Sequence, residues 1–263
     1  MRPANNMNNE VTPVKRRRGI YLLPNLFTTA GLFAGFYAII AATKGRFEAA
    51  GAAIYFAMVM DSLDGRIARL TNTQSDFGKE YDSLSDMIAF GLAPALVVYE
   101  WVLTGMGKLG WLAAFIYTAG AALRLARFNV QHAVTNKRYF QGLPSPAAAG
   151  VLAGMMWVGS DYELRDAKVA GVLILLATVG VALLMVSNIR YRSFKDFDLR
   201  GSVPFVAVLL LVLTFAFISI DPADVLFALF FGYALSGPIN SVVFIRRRRE
   251  LLEQRRQRPP ESH

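Results

Sequence analysis

The chain has 263 residues, of which 54% are hydrophobic and only 18% are charged, and its mean hydropathy is +0.38. This composition excludes an ordinary soluble protein and indicates an integral membrane protein. Without cysteine and with only two histidines, the chain can build neither a thiolate metal site nor a multi-histidine zinc site.

Eight apolar segments of roughly 15–23 residues follow a basic N-terminal arm, residues 1–19. Each can cross a hydrocarbon core about 30 Å thick. The sequence therefore predicts an all-α polytopic membrane helix bundle with about eight transmembrane helices, a transmembrane domain over 20–244 and a basic tail over 245–263. The expected spans are 20–42, 48–69, 84–105, 109–127, 146–160, 167–187, 203–220 and 222–244.

The basic residues are distributed unevenly between the two sides of this topology. If both termini are cytoplasmic, 23 of the 28 Lys and Arg residues lie on the cytoplasmic side. The positive-inside rule then favours this orientation. The net charge of +9 is explained by topology, and no nucleic-acid partner is expected. The five basic residues on the opposite side are Lys44, Arg46, Lys108, Arg165 and Lys168.

Two further features predict contacts with membrane lipids. The run Arg246–Arg249 directly follows the last span, where basic side chains meet an anionic leaflet. Tryptophans near span ends are expected to be interface anchors. They are Trp101, Trp111 and Trp157.

Four acidic residues lie at the cytoplasmic ends of the second and third spans, where ionised carboxylates are costly. Asp61 and Asp64 share one helical face with Gly65, and Asp82 and Asp86 are one turn apart on the next helix. Converging carboxylates in a low dielectric repel unless cations lie between them. Because the chain offers only oxygen ligands for this purpose, the pattern predicts Mg²⁺ or Mn²⁺, and two such ions could bind a pyrophosphate.

The residues from Asp61 to Asp86 match the pattern D-x-x-D-G-x-x-A-R-x₈-G-x₃-D-x₃-D at every fixed position. This pattern resembles the signature of the CDP-alcohol phosphatidyltransferase family. The resemblance implies a six-helix core, a homodimer, a cytoplasmic active site and two divalent metal ions. Within it, Asp61 and Asp82 would bridge both ions, Asp64 would bind one, and Asp86 would bind the other and act as general base.

The same resemblance implies contacts with the CDP-lipid donor. Near the start of the first helix, Asn25 and Thr28 would lie near the nucleotide. The other residues expected to contact the CDP-lipid are Gly65, Arg69, Ser75 and Gly78.

Later motifs resemble the bacterial and archaeal membrane-type phosphatidylserine synthases within this family. They are Leu123–Asn129, Phe140–Pro146 and Ser187–Tyr191. This likeness implies CDP-diacylglycerol and L-serine as substrates in a bacterial cytoplasmic membrane. Arg124, Arg127 and Arg190 are candidates to bind the serine carboxylate or a lipid phosphate through charge-assisted hydrogen bonds, although each also fits positive-inside flanking. Pro144-Ser145-Pro146 is expected at the start of the fifth helix.

Two alternative functions are compatible with part of this pattern. A related enzyme could use glycerol 3-phosphate or inositol phosphate as acceptor, because the acidic signature is common to the family. An ion-coupled transporter could use intramembrane aspartates to bind cations. For the small residues, close helix packing is the structural alternative, and for the acids it is salt bridges with Arg66, Arg69 and Lys79.

Overall fold

The computed structural model describes residues 22–131, 139–163, 168–192 and 205–257. The basic arm predicted over 1–19 lies outside these residues. The first half contains α1 (Leu22–Thr43), α2 (Phe47–Leu70), α3 (Asp76–Asp86), a π-helical turn (Met87–Leu92), α4 (Ala93–Trp101), a 3₁₀ turn (Leu103–Met106) and α5 (Lys108–Gln131). The second half contains β1 (Tyr139–Gln141), α6 (Ser145–Asp161), α7 (Lys168–Val186), β2 (Arg190–Arg192), α8 (Phe205–Ile220) and α9 (Pro222–Gln257).

Within the described residues, each of the eight predicted segments contains helix, which confirms an all-α membrane bundle. Five helices are individually long and apolar enough to cross a membrane. They are 23–43, 76–101, 108–130, 169–186 and 222–243. Of the other three, α2 carries the acidic signature, and α6 and the described part of α8 have 17 and 16 residues. Large apolar side chains such as Phe33, Leu173 and Phe215 remain exposed, as expected for surfaces that face lipid.

The core consists mainly of small side chains that allow helices to approach closely. Helix α6 is the most buried, and it packs against α2, α4 and α9. A Cβ atom at Gly154 would lie 2.6 Å from the Tyr55 hydroxyl and 2.8 Å from Cα of Phe227. Small residues at such crossings are a general feature of membrane helices, because van der Waals packing drives their association.

Two proline residues interrupt the hydrogen bonding of helices, and a tyrosine compensates for each. Pro94 has no N–H to donate to the carbonyl of Phe90, and the Tyr117 hydroxyl donates to that oxygen at 3.0 Å. Pro238 likewise cannot donate to Ala234, whose carbonyl accepts from Tyr191 at 3.0 Å. Both carbonyls are therefore satisfied inside the bundle, where water is scarce.

The π-helical turn lies between Asp86 and Pro94, within the continuous helical stretch from Asp76 to Trp101. It packs closely on α1, since a Cβ atom at Gly35 would lie 2.7 Å from Cα of Ala89. π-turns in α-helices are rare and often occur at functional sites. Here the turn changes the helical phase directly after the last acid of the signature.

A short antiparallel pair, β1 with β2, joins the loop before α6 to the loop after α7. Gly142, with φ of 79°, turns the chain from β1 toward α6, and its N–H donates to the Ile189 carbonyl at 2.9 Å. Helix α6 then begins at Ser145 with proline in its first turn, as the sequence predicts. The ends of α5, α6 and α7 are therefore held at the same side of the bundle.

Two sequence-based details change with the structure. Trp101 is 2% exposed and packs against Gly159, so it is a core residue and the prediction of an interface anchor there is wrong. Trp111, at 53% exposure, lies on the surface as expected. Helix α9 continues through residue 257 without a break at 244, because the segment beyond contains good helix formers and neither proline nor glycine.

Candidate active site

A small pocket opens between α1, α2 and the helical stretch that begins with α3. All four acids of the signature line it, together with one threonine, one serine and small or apolar side chains. The lining residues are Thr28, Gly31, Ala57, Asp61, Asp64, Asp82, Ser85, Asp86, Ala89 and Phe90. The tertiary structure thus brings together two acidic pairs that the sequence separates by eighteen residues.

Three of these carboxylates come very close to one another. Oxygen atoms of Asp61, Asp64 and Asp82 lie within 4.8 Å of one another, and Asp64 is only 5% exposed. Asp86 lines the same pocket but lies outside this close group. Three carboxylates at this separation repel unless a cation compensates their charge. A set of oxygen donors alone fits a hard divalent cation.

Hydrogen bonds from α1 and α3 hold the acidic pocket together. Thr28 Oγ1 donates to Asp64 Oδ2 at 2.7 Å, across 36 residues of sequence. The Ser85 hydroxyl donates to the backbone carbonyl of Thr28 at 3.1 Å. Thr28 therefore connects α1 to both acidic helices, and its side chain contacts a predicted metal ligand.

The start of α3 lies beside the start of α1. Ser75 is the N-cap residue of α3, and its hydroxyl accepts from the Gly78 N–H at 3.0 Å. A Cβ atom at Gly78 would lie 3.6 Å from Asn25 Oδ1. Thr29 and Tyr81 link the same two helices through their hydroxyls at 2.9 Å. The structure thus clusters three of the residues predicted to contact the CDP-lipid.

The remaining predicted donor contacts lie along α2. Gly65 follows Asp64, and no atom lies within 4 Å of the Cβ position that a side chain would occupy there. Arg69 is exposed in the last turn of the helix. The open space beside Gly65 leaves room for a ligand close to the carboxylates. The positive charge of Arg69, one turn later, favours an anionic one.

The three candidate arginines differ sharply in their surroundings. Arg124 is 8% exposed and donates to the Ser145 hydroxyl at the start of α6. Arg127 donates to the Val186 and Ser187 carbonyls and to Asn188, with distances from 2.7 to 3.4 Å. Arg190 is exposed on β2.

Sequence reasoning did not single out several residues that shape this region. Ser85, Tyr81 and Tyr117 were missed, although Ser85 lies inside the acidic signature. The one available signal for Tyr117 was Pro94, which requires a donor from elsewhere for the carbonyl four residues earlier. The sequence does not show which donor it is, because the contact spans 27 residues.

Comparison with protein families identifies this arrangement. The model of the CDP-alcohol phosphatidyltransferase family matches residues 21–186. The chain belongs to this family. The match covers the four acids, the three helices that form the pocket and the arginines of α5. Enzymes of this family generally depend on divalent metal ions, which agrees with the donor set found here.

Several curated proteins that are similar to this chain carry the name CDP-diacylglycerol–serine O-phosphatidyltransferase. That of Helicobacter pylori (strain ATCC 700392 / 26695) is 36% identical over 217 residues, covering 82% of this chain and 90% of the relative. That of Mycobacterium tuberculosis (strain ATCC 25618 / H37Rv) is 37% identical and covers 75% and 70%. That of Bacillus subtilis (strain 168) is 31% identical and covers 66% and 91%.

Proposed function

We propose that this protein transfers the phosphatidyl group of CDP-diacylglycerol to the hydroxyl of L-serine, producing phosphatidylserine and CMP. The acceptor is supported by the shared name of relatives that align over most of the chain. The observation that carries the reaction class is the pocket in which four aspartates from two helices converge. Such a pocket suits divalent metal ions and a substrate that contains a pyrophosphate.

The metal site of this proposal is built from carboxylates. Asp61, Asp64 and Asp82 would hold a divalent ion, and Asp86 with the two shared acids, Asp61 and Asp82, would hold a second, with Mg²⁺ or Mn²⁺ as the cation. Bound there, the ions would neutralise the pyrophosphate and stabilise the charge that develops on the leaving group. The close approach of three carboxylates supports this assignment, because their repulsion favours occupation by a cation.

The chain's own residues would position the donor and move one proton. Asp86 would accept the proton of the serine hydroxyl, and the serine oxygen would form a bond to the phosphorus that carries the diacylglycerol. The bond from that phosphorus to the CMP oxygen would break, and CMP would leave. Residues that would bind the CDP-lipid are Asn25, Thr28, Gly65, Arg69, Ser75 and Gly78.

The proposed arrangement in the membrane follows from charge. The pocket, the basic arm and the basic end of α9 would face the cytoplasm, because this orientation would put most Lys and Arg residues on the cytoplasmic side. The protein would reside in a bacterial cytoplasmic membrane and act as a homodimer.

The decisive experiment measures CMP release by the purified protein in detergent with CDP-diacylglycerol and Mg²⁺ or Mn²⁺. L-serine, glycerol 3-phosphate, inositol phosphate and no acceptor are compared, and the lipid product is identified by mass spectrometry. We expect release that depends on serine and metal, with phosphatidylserine as product. CMP release only with another acceptor would reject serine as the acceptor. Absence of CMP release with every acceptor would reject the proposed enzymatic function.

A further inference from the structure

Arg124 is a buried cation whose observed partners are uncharged. Its guanidinium donates to the Ser145 hydroxyl and lies 5.8 Å from the centre of the Phe128 ring. Within the described parts of the chain, the ion-pair criterion is met by Lys79 with Asp76 and by no carboxylate with Arg124. A guanidinium has five donors, and the Ser145 hydroxyl accepts from only one of its nitrogens. The site is thus prepared for an additional anionic group.

The position of Arg124 relates this cation to the acidic pocket. Tyr117 is two helical turns earlier on the same face of α5, and its hydroxyl binds the carbonyl of Phe90, which lines the pocket. Asp86 lines the same pocket as Phe90. The arginine therefore lies near the residue proposed to receive the acceptor's proton.

The other two candidate arginines have different environments. Arg127 uses its donors on the Val186 and Ser187 carbonyls, where α7 ends and leaves carbonyls without helical partners. Its second nitrogen binds Asn188 at 2.7 Å. Arg190 is exposed on β2. Of the three, Arg124 alone is buried, and it shares a helix face with Tyr117, which contacts the lining of the pocket.

We propose that Arg124 binds the carboxylate of the acceptor amino acid and that Ser145 positions the guanidinium for this contact. This inference rests on the proposed function and specifies how the acceptor is chosen. In serine only two carbon atoms separate the carboxylate carbon from the hydroxyl oxygen, so a group that binds the carboxylate must lie near the base. A planar guanidinium can bind a carboxylate through two parallel hydrogen bonds. Acceptors without an anionic group would not form this contact.

The test compares L-serine with serinol, in which a hydroxymethyl group replaces the carboxylate. Steady-state CMP release is measured with each acceptor for the wild type and for Arg124→Gln, with the KM for CDP-diacylglycerol determined in parallel. We expect the wild type to prefer serine about 10–100-fold in kcat/KM, as for one charge-assisted contact. Arg124→Gln should raise the KM for serine by a similar factor, abolish the preference and leave the KM for CDP-diacylglycerol within about twofold.

Arg127→Gln is the matched control, because it makes the same change one helical turn away. It should retain the preference for serine over serinol even if it lowers stability. Arg124→Lys should retain part of the preference, because lysine keeps the charge but loses the two-pronged geometry.

Three results would overturn the assignment of Arg124 while leaving the proposed reaction intact. The wild type could use serine and serinol equally well, or Arg124→Gln could keep the preference for serine. Arg124→Gln could also raise the KM for CDP-diacylglycerol instead of the KM for serine. If Arg124→Gln does not fold, Arg124→Lys and Ser145→Ala replace it, and an unchanged preference in both would reject the proposal. A wild type that releases CMP with no serine dependence would instead reject the proposed function.

Discussion

Thr28 Oγ1 donates a hydrogen bond to Asp64 Oδ2 at 2.7 Å, and this contact joins α1 to the acidic face of α2. A hydroxyl has one hydrogen, and donation to a carboxylate is stronger than donation to the Pro24 carbonyl, which lies at 3.2 Å. The bond holds one carboxylate oxygen in place. Thr28 therefore positions a proposed metal ligand.

Replacing Thr28 by valine removes the hydrogen-bond donor while keeping the branched shape. We expect Thr28→Val to weaken Mn²⁺ binding by about 10–100-fold, as is typical when a group that orients a metal ligand is lost. Binding is measured by calorimetric titration of the purified protein, independently of activity. Thr28→Ser should restore affinity, and Thr43→Val, at the opposite end of α1, should not change it. Unaltered Mn²⁺ affinity in Thr28→Val would refute the positioning role.

Asp86→Asn keeps the size of the side chain but removes its basicity. We expect the variant to fold and to lose turnover by at least about 10²-fold with saturating serine and metal, because general base catalysis contributes about 10²–10⁴-fold. The matched control is Asp76→Asn in the first turn of the same helical stretch, where the carboxylate is exposed and paired with Lys79. Near-normal turnover of Asp86→Asn would show that another group takes the proton.

Asp61→Ala tests metal binding more directly than chemistry. Removing one of three carboxylates within 4.8 Å should weaken Mn²⁺ binding and abolish CMP release together. The metal dependence of activity and a direct titration are measured on the same preparation. A normal titration with no activity would argue that Asp61 has a role other than metal binding.

Tyr117→Phe leaves the Phe90 carbonyl without the donor that Pro94 cannot supply. An unsatisfied buried carbonyl should lower the free energy of unfolding by about 1–3 kcal/mol. Tyr191→Phe should have a similar effect at Ala234. Both are compared with Tyr162→Phe, whose hydroxyl lies on the surface, by thermal unfolding in detergent. Equal melting temperatures for all three variants would contradict this explanation of the two prolines.

Asp161, at the end of α6, gives a pH-dependent prediction. Partial burial raises the pKa of its carboxyl, and the negative charges of three nearby acids raise it further, namely Glu48, Asp221 and Asp224. A raised pKa in the folded state stabilises the protein below the carboxyl's ordinary pKa of about 4, and this contribution is lost as the pH rises through the folded-state pKa. Asp161→Asn should therefore raise the melting temperature at pH 7 but give no such advantage near pH 3.

The outcome for Asp161 is measured by thermal unfolding in detergent from pH 3 to pH 8. Asp76→Asn is the control, because that carboxylate is paired with Lys79 and its removal should not raise the melting temperature. If Asp161→Asn and the wild type differ in melting temperature by the same amount at every pH, the ionisation of Asp161 is not the cause of the difference.

Much of the fold was predictable because membrane spans impose strong patterns on a sequence. The length of apolar segments predicted each helix, and prolines marked the start of α6. Spacing placed Asp61 and Asp64 on one helical face and Asp82 and Asp86 on another. The acidic signature alone was enough to indicate the family.

The membrane class, the helices and the four acids follow from the sequence, because these depend on local composition and on distances of a few residues. The tertiary structure alone decided which partners these residues have: Thr28 contacts Asp64, Tyr117 replaces the donor missing at Pro94, and Arg124 is buried beside Ser145 while Arg127 caps α7. These contacts join residues from about 20 to 60 positions apart, and they arise from how close packing orients one helix against the next.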